Sequence, residues 1–286
     1  MKFSKVGVIG NGVMGHGIAQ LCATVGYETK MCGRSHESLG RAMKNITKSL
    51  ESYYVSKGKM TEAEMKVVLG RISVTTNIEE LSECEILIES IVEDLKIKQD
   101  LFARLDGICP NAKIAATDTA GLPVTRIAEA TQNPSRVVGI HLLSPVPQSR
   151  VMELIRPSCC SDDSFDLAMD FCRTLGKDVI QAKDTPGFII NRLLTPFVLD
   201  AVRLCESGVA SKEDIDAMMR TGAGHAVGPI QLLDLAGLDN YCNLADNLYE
   251  ALKDEKLIVP QSMRKLVQEG HFGRKTGKGF YDWGKK

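Results

Sequence analysis

Strong charge of either sign is missing from this chain of 286 residues: 35 lysines and arginines stand against 36 aspartates and glutamates, a formal net charge of −1. Nucleic acid or an anionic membrane surface would meet no overall attractive field, so any anion recognition has to be local. Long hydrophobic runs are also missing, the longest falling well short of the ~18 consecutive apolar residues that suggest a membrane span. The nine cysteines form an odd number without a repeated CxxC or Cys/His spacing. That excludes a disulfide framework and a zinc site and points to a reducing cytoplasm. Adjacent Cys159 and Cys160 read as unpaired thiols near a turn. The opening "MKFSKVGVIGNG" enters a strand almost at once, with neither a charged-then-apolar leader nor a small-residue cleavage site. A soluble, cytoplasmic protein is expected. Internal repeats and low-complexity segments are lacking too.

What is present is an alternation of short apolar runs with helix-length patterns. The runs are "KVGVIG" (5–10), "ETKMC" (28–32), "EILIESI" (85–91), "AKIAAT" (112–117), "RVVGIHL" (136–142) and "RVMELI" (150–155). Helical patterns lie at 12–26, 36–57, 95–106 and 123–131. This order predicts an α/β fold, a Rossmann-type doubly wound sheet that is largely parallel and covered on both faces. After "DTPGFIINR" (184–192) helical patterns dominate, at 193–208, 211–222 and 229–240. Ser211 with Asp214 is a candidate helix cap and Gly222 a candidate stop. The expected organisation is a dinucleotide-binding domain over 1–184 and an all-α substrate and dimerisation domain over 185–286.

"VGVIGNGVMGHGIAQ" sets Gly10, Gly12 and Gly15 in GxGxxG spacing, after a strand and at the start of an amphipathic helix, with Val13 and Met14 opening that helix. Gly10 permits the tight turn, Gly12 lets backbone approach a pyrophosphate, and Gly15 lets helix pack on strand. The free N–H groups of the helix start then face the anion. An acid expected ~20 residues further on would hold the adenosine ribose of NAD. Its place falls to Gly33, followed by Arg34 and Ser35. Losing the acid removes repulsion of a 2′-phosphate, Arg34 supplies a planar fork for phosphate oxygens, and Ser35 adds a hydroxyl. NADP(H) is therefore the expected cofactor, with NAD(H) as the other option.

His141 closes a long apolar strand in "VVGIHLLSPVPQ", at the edge where doubly wound folds place their chemistry. Twelve residues on, Glu153 sits inside "VMELI", and on a strand it would share its face with Val151 and Ile155. An ionised carboxylate there needs a partner. Either residue alone would read as a satisfied core group. Together on a cofactor fold they predict a dyad in which imidazole exchanges a proton and carboxylate orients it.

The stretches "GNGVMGHGIAQ", "IESIVEDLKIKQDLF", "GIHLLSPVP", "VMELI", "DTPGFIINRLLTP", "ASKEDIDAMM", "GAGHAVGPIQLLDLAGLD" and "FGRKTGKGFYDW" resemble the L-3-hydroxyacyl-CoA dehydrogenases, over nearly the whole chain. The resemblance implies a Rossmann-type domain joined to a helical domain that dimerises, an active site in the cleft between them, and a role in fatty-acid or butyrate metabolism. It implies that His141 is the catalytic acid/base, Glu153 its orienting partner and Asn191 a polar residue of the substrate site. By the same likeness Glu93 and Lys98 line the nicotinamide end of the cofactor. The CoA nucleotide would be held from the helix near 49–59, where Ser49, Ser52, Lys57 and Lys59 are available.

The chain departs from the family pattern at two places. "TDTAGL" stands where members usually read "SNTSSL", so Asp118 replaces an asparagine and Ala120 a serine that contacts the substrate oxygen. "HLLSP" stands for "HFFNP", putting Ser144 in place of a site asparagine. A hydrogen bond lost from a reacting oxygen costs ~1–3 kcal/mol, roughly 10–100-fold in rate, unless another group compensates. Three readings follow: a dehydrogenase of a short 3-hydroxyacyl-CoA, a dehydrogenase of a free polar hydroxy acid, and a binding or structural protein on the same scaffold. The dyad argues against the last.

Overall fold

The computed structural model describes residues 3–284. The backbone divides into two compact units, Met1–Thr185 and Pro186–Lys286. The first runs β1 (Lys5–Ile9), α1 (Val13–Thr24), β2 (Glu28–Cys32), α2 (His36–Leu50), α3 (Glu62–Gly70), β3 (Ile72–Thr75), β4 (Ile86–Glu89), α4 (Leu95–Ile108), β5 (Ile114–Thr117), α5 (Val124–Ala128), β6 (Val137–Leu142), β7 (Val151–Arg156), α6 (Asp162–Thr174) and β8 (Asp178–Lys183).

The strands form one sheet in the order β3-β2-β1-β4-β5-β6-β7-β8. Every neighbouring pair is parallel except β6 with β7. β4, β5 and β6 are buried along their whole length, as expected of apolar runs covered on both faces. Ile18, Leu39, Ile46 and Phe165 carry α1, α2 and α6 onto one face, against Val8, Ile88 and Ile140. Leu105 of α4 packs with Ile9 and Leu87 on the other. Strand order reverses on either side of β1, and a fold of this type places its ligand sites beyond the carboxyl ends of the strands at that point.

Two strands and two helices of this unit lie outside the pattern read from the sequence. β3 and β8 are the two edges of the sheet, and most of β8 is at least partly exposed, so neither carries a strong apolar signature. α3 and α6 are set by their starts. Thr61 and Glu64 form a reciprocal capping box, and Ser161 caps the N–H of Ser164. The helix expected over 36–57 ends at Leu50 and continues as a π-helical turn, Glu51–Val55.

The second unit comprises α7 (Ile190–Glu206), α8 (Lys212–Thr221), α9 (Pro229–Ala236), α10 (Leu238–Leu252) and α11 (Gln261–Gln268). Val198, Val202, Ile230, Leu233, Ala245 and Met263 form its core. Ser211 caps α8 by accepting from the N–H of Asp214, and α8 gives way at Gly222 with ordinary negative φ. The single helical pattern expected at 229–240 is two helices, because Gly237 adopts φ +99° between them. Two buried carboxylates pin the C-terminal segment. Asp234 accepts from the N–H groups of Phe280 and Tyr281 and from Trp283 Nε1 at 2.8–2.9 Å. Asp216 accepts from the N–H groups of Ile230 and Gln231 and from the Tyr281 hydroxyl. Among the described residues no helix is long and apolar enough to cross a membrane.

Candidate active site

The turn between β1 and α1 has the form its glycines require. Gly10 has φ +111°, and a Cβ there would lie 2.1 Å from the carbonyl oxygen of Ser90. A Cβ on Gly15 would lie 2.1 Å from the carbonyl oxygen of Gly10, so helix and turn are in direct backbone contact. At Gly12 a Cβ would meet nothing within 4 Å, so the turn is open on that side. Gly12 also caps α1 without any side chain, so the first N–H groups of the helix have no side-chain acceptor. Open space over uncapped N–H groups fits a dinucleotide pyrophosphate. Val13 is exposed and Met14 half-buried against the core.

β2 ends at Cys32. Gly33 follows, its N–H donating to Thr75 O at 3.0 Å. Arg34 is exposed and makes no ion pair with any described residue. Ser35 caps α2, its hydroxyl oxygen accepting from the Ser38 N–H. Gly33, Arg34 and Ser35 thus stand together at the carboxyl end of β2, beside the glycine turn, where the N–H of Gly10 reaches Cys32 O.

At the far side of β4 and β5, the antiparallel ladder sets His141 directly opposite Glu153. His141 Nδ1 lies 2.6 Å from Glu153 Oε2, and both residues are buried. With the carboxylate ionised, Nδ1–H donates, and this fixes the tautomer so that proton exchange falls to Nε2. The paired register answers the need that period-2 alternation raised for a buried glutamate.

Asp118 follows β5 directly, next to the end of β6. Its Oδ1 accepts from the Leu142 N–H at 3.0 Å and its Oδ2 from the Ser90 hydroxyl at 3.1 Å. Burial pushes its carboxyl up to about 7, against the opposing pull of the Leu142 N–H, His141 and Ser90. Beside it runs an ionic cluster. Lys98 is fully buried, with its Nζ 2.5 Å from Glu89 Oε1 and 3.5 Å from Glu93 Oε2. Glu89 also accepts from the Thr117 hydroxyl and the Ile91 N–H. Glu93 in turn accepts from the Thr119 hydroxyl and the Ala120 and Gly121 N–H groups. Lys98 therefore faces two carboxylates, and Glu93 fixes the loop that carries Ala120.

Ser144, exposed, joins Pro145 through a cis peptide in the loop after β6. The Tyr54 hydroxyl of the π-helical turn donates to Pro147 O in that loop at 3.1 Å. This tie brings the end of α2, with Ser49 half-buried and Ser52, Lys57 and Lys59 exposed, to the loop following His141. Lys57 Nζ lies 5.1 Å from the Tyr53 ring centre. Asn191 stands in the first turn of α7 in the second unit. Sequence reasoning missed Glu89, Ser90, Thr117 and Tyr54. Polar residues closing buried strands were a usable signal for the first three.

Comparison with known proteins decides the family. Residues 5–185 match the 3-hydroxyacyl-CoA dehydrogenase NAD binding domain, and residues 187–283 match the C-terminal domain of the same enzymes. The chain belongs to the 3-hydroxyacyl-CoA dehydrogenase family. It is 40% identical over 286 residues to the mitochondrial hydroxyacyl-coenzyme A dehydrogenase of Homo sapiens, covering 97% of this chain and 90% of that one. It is 37% identical over 281 residues to the 3-hydroxybutyryl-CoA dehydrogenase of Clostridioides difficile, covering 98% and 100%. Among solved structures, (S)-3-hydroxybutyryl-CoA dehydrogenase PaaH1 from Ralstonia eutropha superposes with a TM-score of 0.91 at 35% identity, covering 99% and 100%. As a family member, the chain has a Rossmann-like unit and a helical C-terminal unit, and it is an oxidoreductase acting on an alcohol group with a nicotinamide cofactor.

Proposed function

We propose that this dehydrogenase interconverts a short 3-hydroxyacyl-CoA and its 3-oxoacyl-CoA, with 3-hydroxybutyryl-CoA as the first candidate substrate. The observation that carries the reading is the buried His141–Glu153 pair, 2.6 Å apart on facing strands of a nicotinamide-binding fold. The names of the C. difficile and R. eutropha relatives support the choice of acyl chain. When bound, the cofactor supplies or accepts the hydride. His141 gives a proton through Nε2 to the C3 oxygen during reduction and removes it during oxidation. Glu153 holds the ring by Nδ1 and stabilises the imidazolium formed when the alcohol is oxidised. Glu93, which fixes the loop at 119–121, and Lys98, whose Nζ lies 3.5 Å from its carboxylate, are assigned to the nicotinamide end of the cofactor.

We assign Gly10, Gly12, Val13, Met14 and Gly15 to the pyrophosphate side of the cofactor, and Gly33, Arg34 and Ser35 to the adenosine side with NADP(H) preferred. Hydrogen bonds to charged groups are worth ~1.5–3 kcal/mol, so the preference in kcat/KM is expected at roughly 10–150-fold. Ser49 and Lys57 would hold the CoA nucleotide. Asp118, Ala120, Ser144 and Asn191 are assigned to the substrate by family likeness. Two chains would pair through the helical unit, whose Leu193, Val209 and Met218 are apolar and exposed. The test is steady-state oxidation of NADPH and of NADH with acetoacetyl-CoA. Rapid turnover, faster with NADPH, is expected. Turnover with free 3-oxo acids and none with the thioester would overturn the substrate reading.

A further inference from the structure

The end of β2 lacks an acid, and the space such a side chain would use is filled. A Cβ built on Gly33 would stand 2.8 Å from Leu39 Cδ2 and 2.9 Å from both Cγ and Oδ1 of Asn11. Leu39 is a core residue, 1% exposed, and meets that Cβ with only the end of its side chain, which can turn aside. Asn11 lies inside the glycine turn, partly exposed, and its carboxamide makes no hydrogen bond with any described residue. The next residue, Gly12, borders the open side of the turn. The carboxamide therefore sits between the pyrophosphate side of the turn and the strand end where an acid would meet the adenosine ribose.

We propose that Asn11 and Gly33 are one device, in which the Asn11 carboxamide takes over ribose recognition from the absent acid. This deepens the cofactor assignment above and rests on it. The chemistry differs from that of an acid in a useful way. A carboxylate accepts from two ribose hydroxyls but repels a 2′-phosphate. A carboxamide offers both a donor and an acceptor and carries no charge. It serves a ribose bearing either a hydroxyl or a phosphate, and Arg34 then adds its charge for the phosphate alone. Placing an acid at 33 without vacating 11 would drive its Cβ into the carboxamide, so neither position sets cofactor choice independently.

A double-mutant cycle on the intact protein tests this, read as dissociation constants for NADPH and NADH by calorimetric titration. Asn11→Gly is expected to weaken both cofactors about 3–10-fold, since one hydrogen-bonding group is lost. Gly33→Asp alone is expected to weaken both about 10-fold or more. The pair Asn11→Gly with Gly33→Asp should regain NADH affinity to within a few-fold of the unmodified chain while NADPH stays weak. Equal affinities for Asn11→Gly and the unmodified chain would overturn the proposal. So would an NADH gain from Gly33→Asp as large as that of the double variant. Should Gly33→Asp not fold against Leu39, Asn11→Gly with Asn11→Asp decides alone: the acid should weaken NADPH at least 10-fold more than NADH, and an equal effect on both overturns the idea. An unmodified chain that binds neither cofactor would remove the cofactor assignment itself, and this inference with it.

Discussion

The two units bury carboxylates in contrasting ways. In the helical unit Asp216 and Asp234 are almost wholly buried, and their partners are backbone N–H groups, a tyrosine hydroxyl and an indole N–H. None of those donors changes charge near neutral pH. In the sheet unit Glu89, Asp118 and Glu153 meet Lys98, His141 and the hydroxyls of Ser90 and Thr117, as well as backbone N–H groups, and the exposed Glu93 joins them through Lys98 and the Thr119 hydroxyl. The first arrangement holds chain in place. The second is grouped with an imidazole, that of His141, which can move a proton. Burial of an acid is thus no sign of chemistry, and the nature of its partners is what separates fastening from reactivity.

The largest effect should come from the reactive group. His141→Ala is expected to lower kcat by ~100–10,000-fold with little change in cofactor affinity. Glu153→Gln should slow turnover less, since an amide can orient the ring but cannot stabilise its cation. Single-turnover kinetics with both variants check this, and near-normal rates would erase the contrast between the units. Next in size is the fastening carboxylate. Asp234→Ala strips three donors of their acceptor and should cost about 3 kcal/mol or more of stability, measured by urea unfolding. Its pH–rate profile should keep the shape of the unmodified enzyme. A changed profile with intact stability would show that the helical carboxylates are not merely structural.

The smallest and most informative effect concerns Asp118. An asparagine there can still accept from the Leu142 N–H and donate to the Ser90 oxygen, so the substitution removes charge with little change of shape. The carboxyl titrates at about 7 in the fold and at 3.8 ordinarily. Between those values the folded chain binds a proton that the unfolded chain has released, so this group's contribution to stability declines as pH rises from about 4 to about 7. Asp118→Asn should abolish that decline. Its melting temperature relative to the unmodified chain should therefore rise from pH 5 to pH 8. The pH–rate profile should lose an inflection near 7, where a second negative charge appears beside His141. A constant difference in melting temperature across that range would count against the raised ionisation.

The dyad was readable in the sequence because its members are close along the chain and obey one simple period. His141 ends an apolar run, and Glu153 interrupts the next. The glycine turn was readable for a similar reason, being wholly local. The rest of the site is not local. Glu89, Ser90, Thr117 and Asp118 come together only because the sheet places β4, β5 and β6 side by side, with Thr117 and Asp118 each bonded to a residue 28 positions away. Edge strands β3 and β8 escaped notice because half-exposed residues need no apolar pattern. The competition of Asn11 for the space beside Gly33 has no sequence signature at all, since it arises from packing between a turn and a strand end.

The antiparallel pairing of β6 with β7 has a consequence for how the protein assembles. Every other neighbouring pair in the sheet is parallel, and each needs a long crossover before its first contact can form. β6 and β7 are joined only by the loop over 143–150, and His141 and Glu153 are 12 residues apart. Closing so short a loop costs little chain entropy, and contacts of low sequence separation form early. The reactive pair is therefore expected to reach its register as a hairpin, ahead of the parallel strands that later surround it.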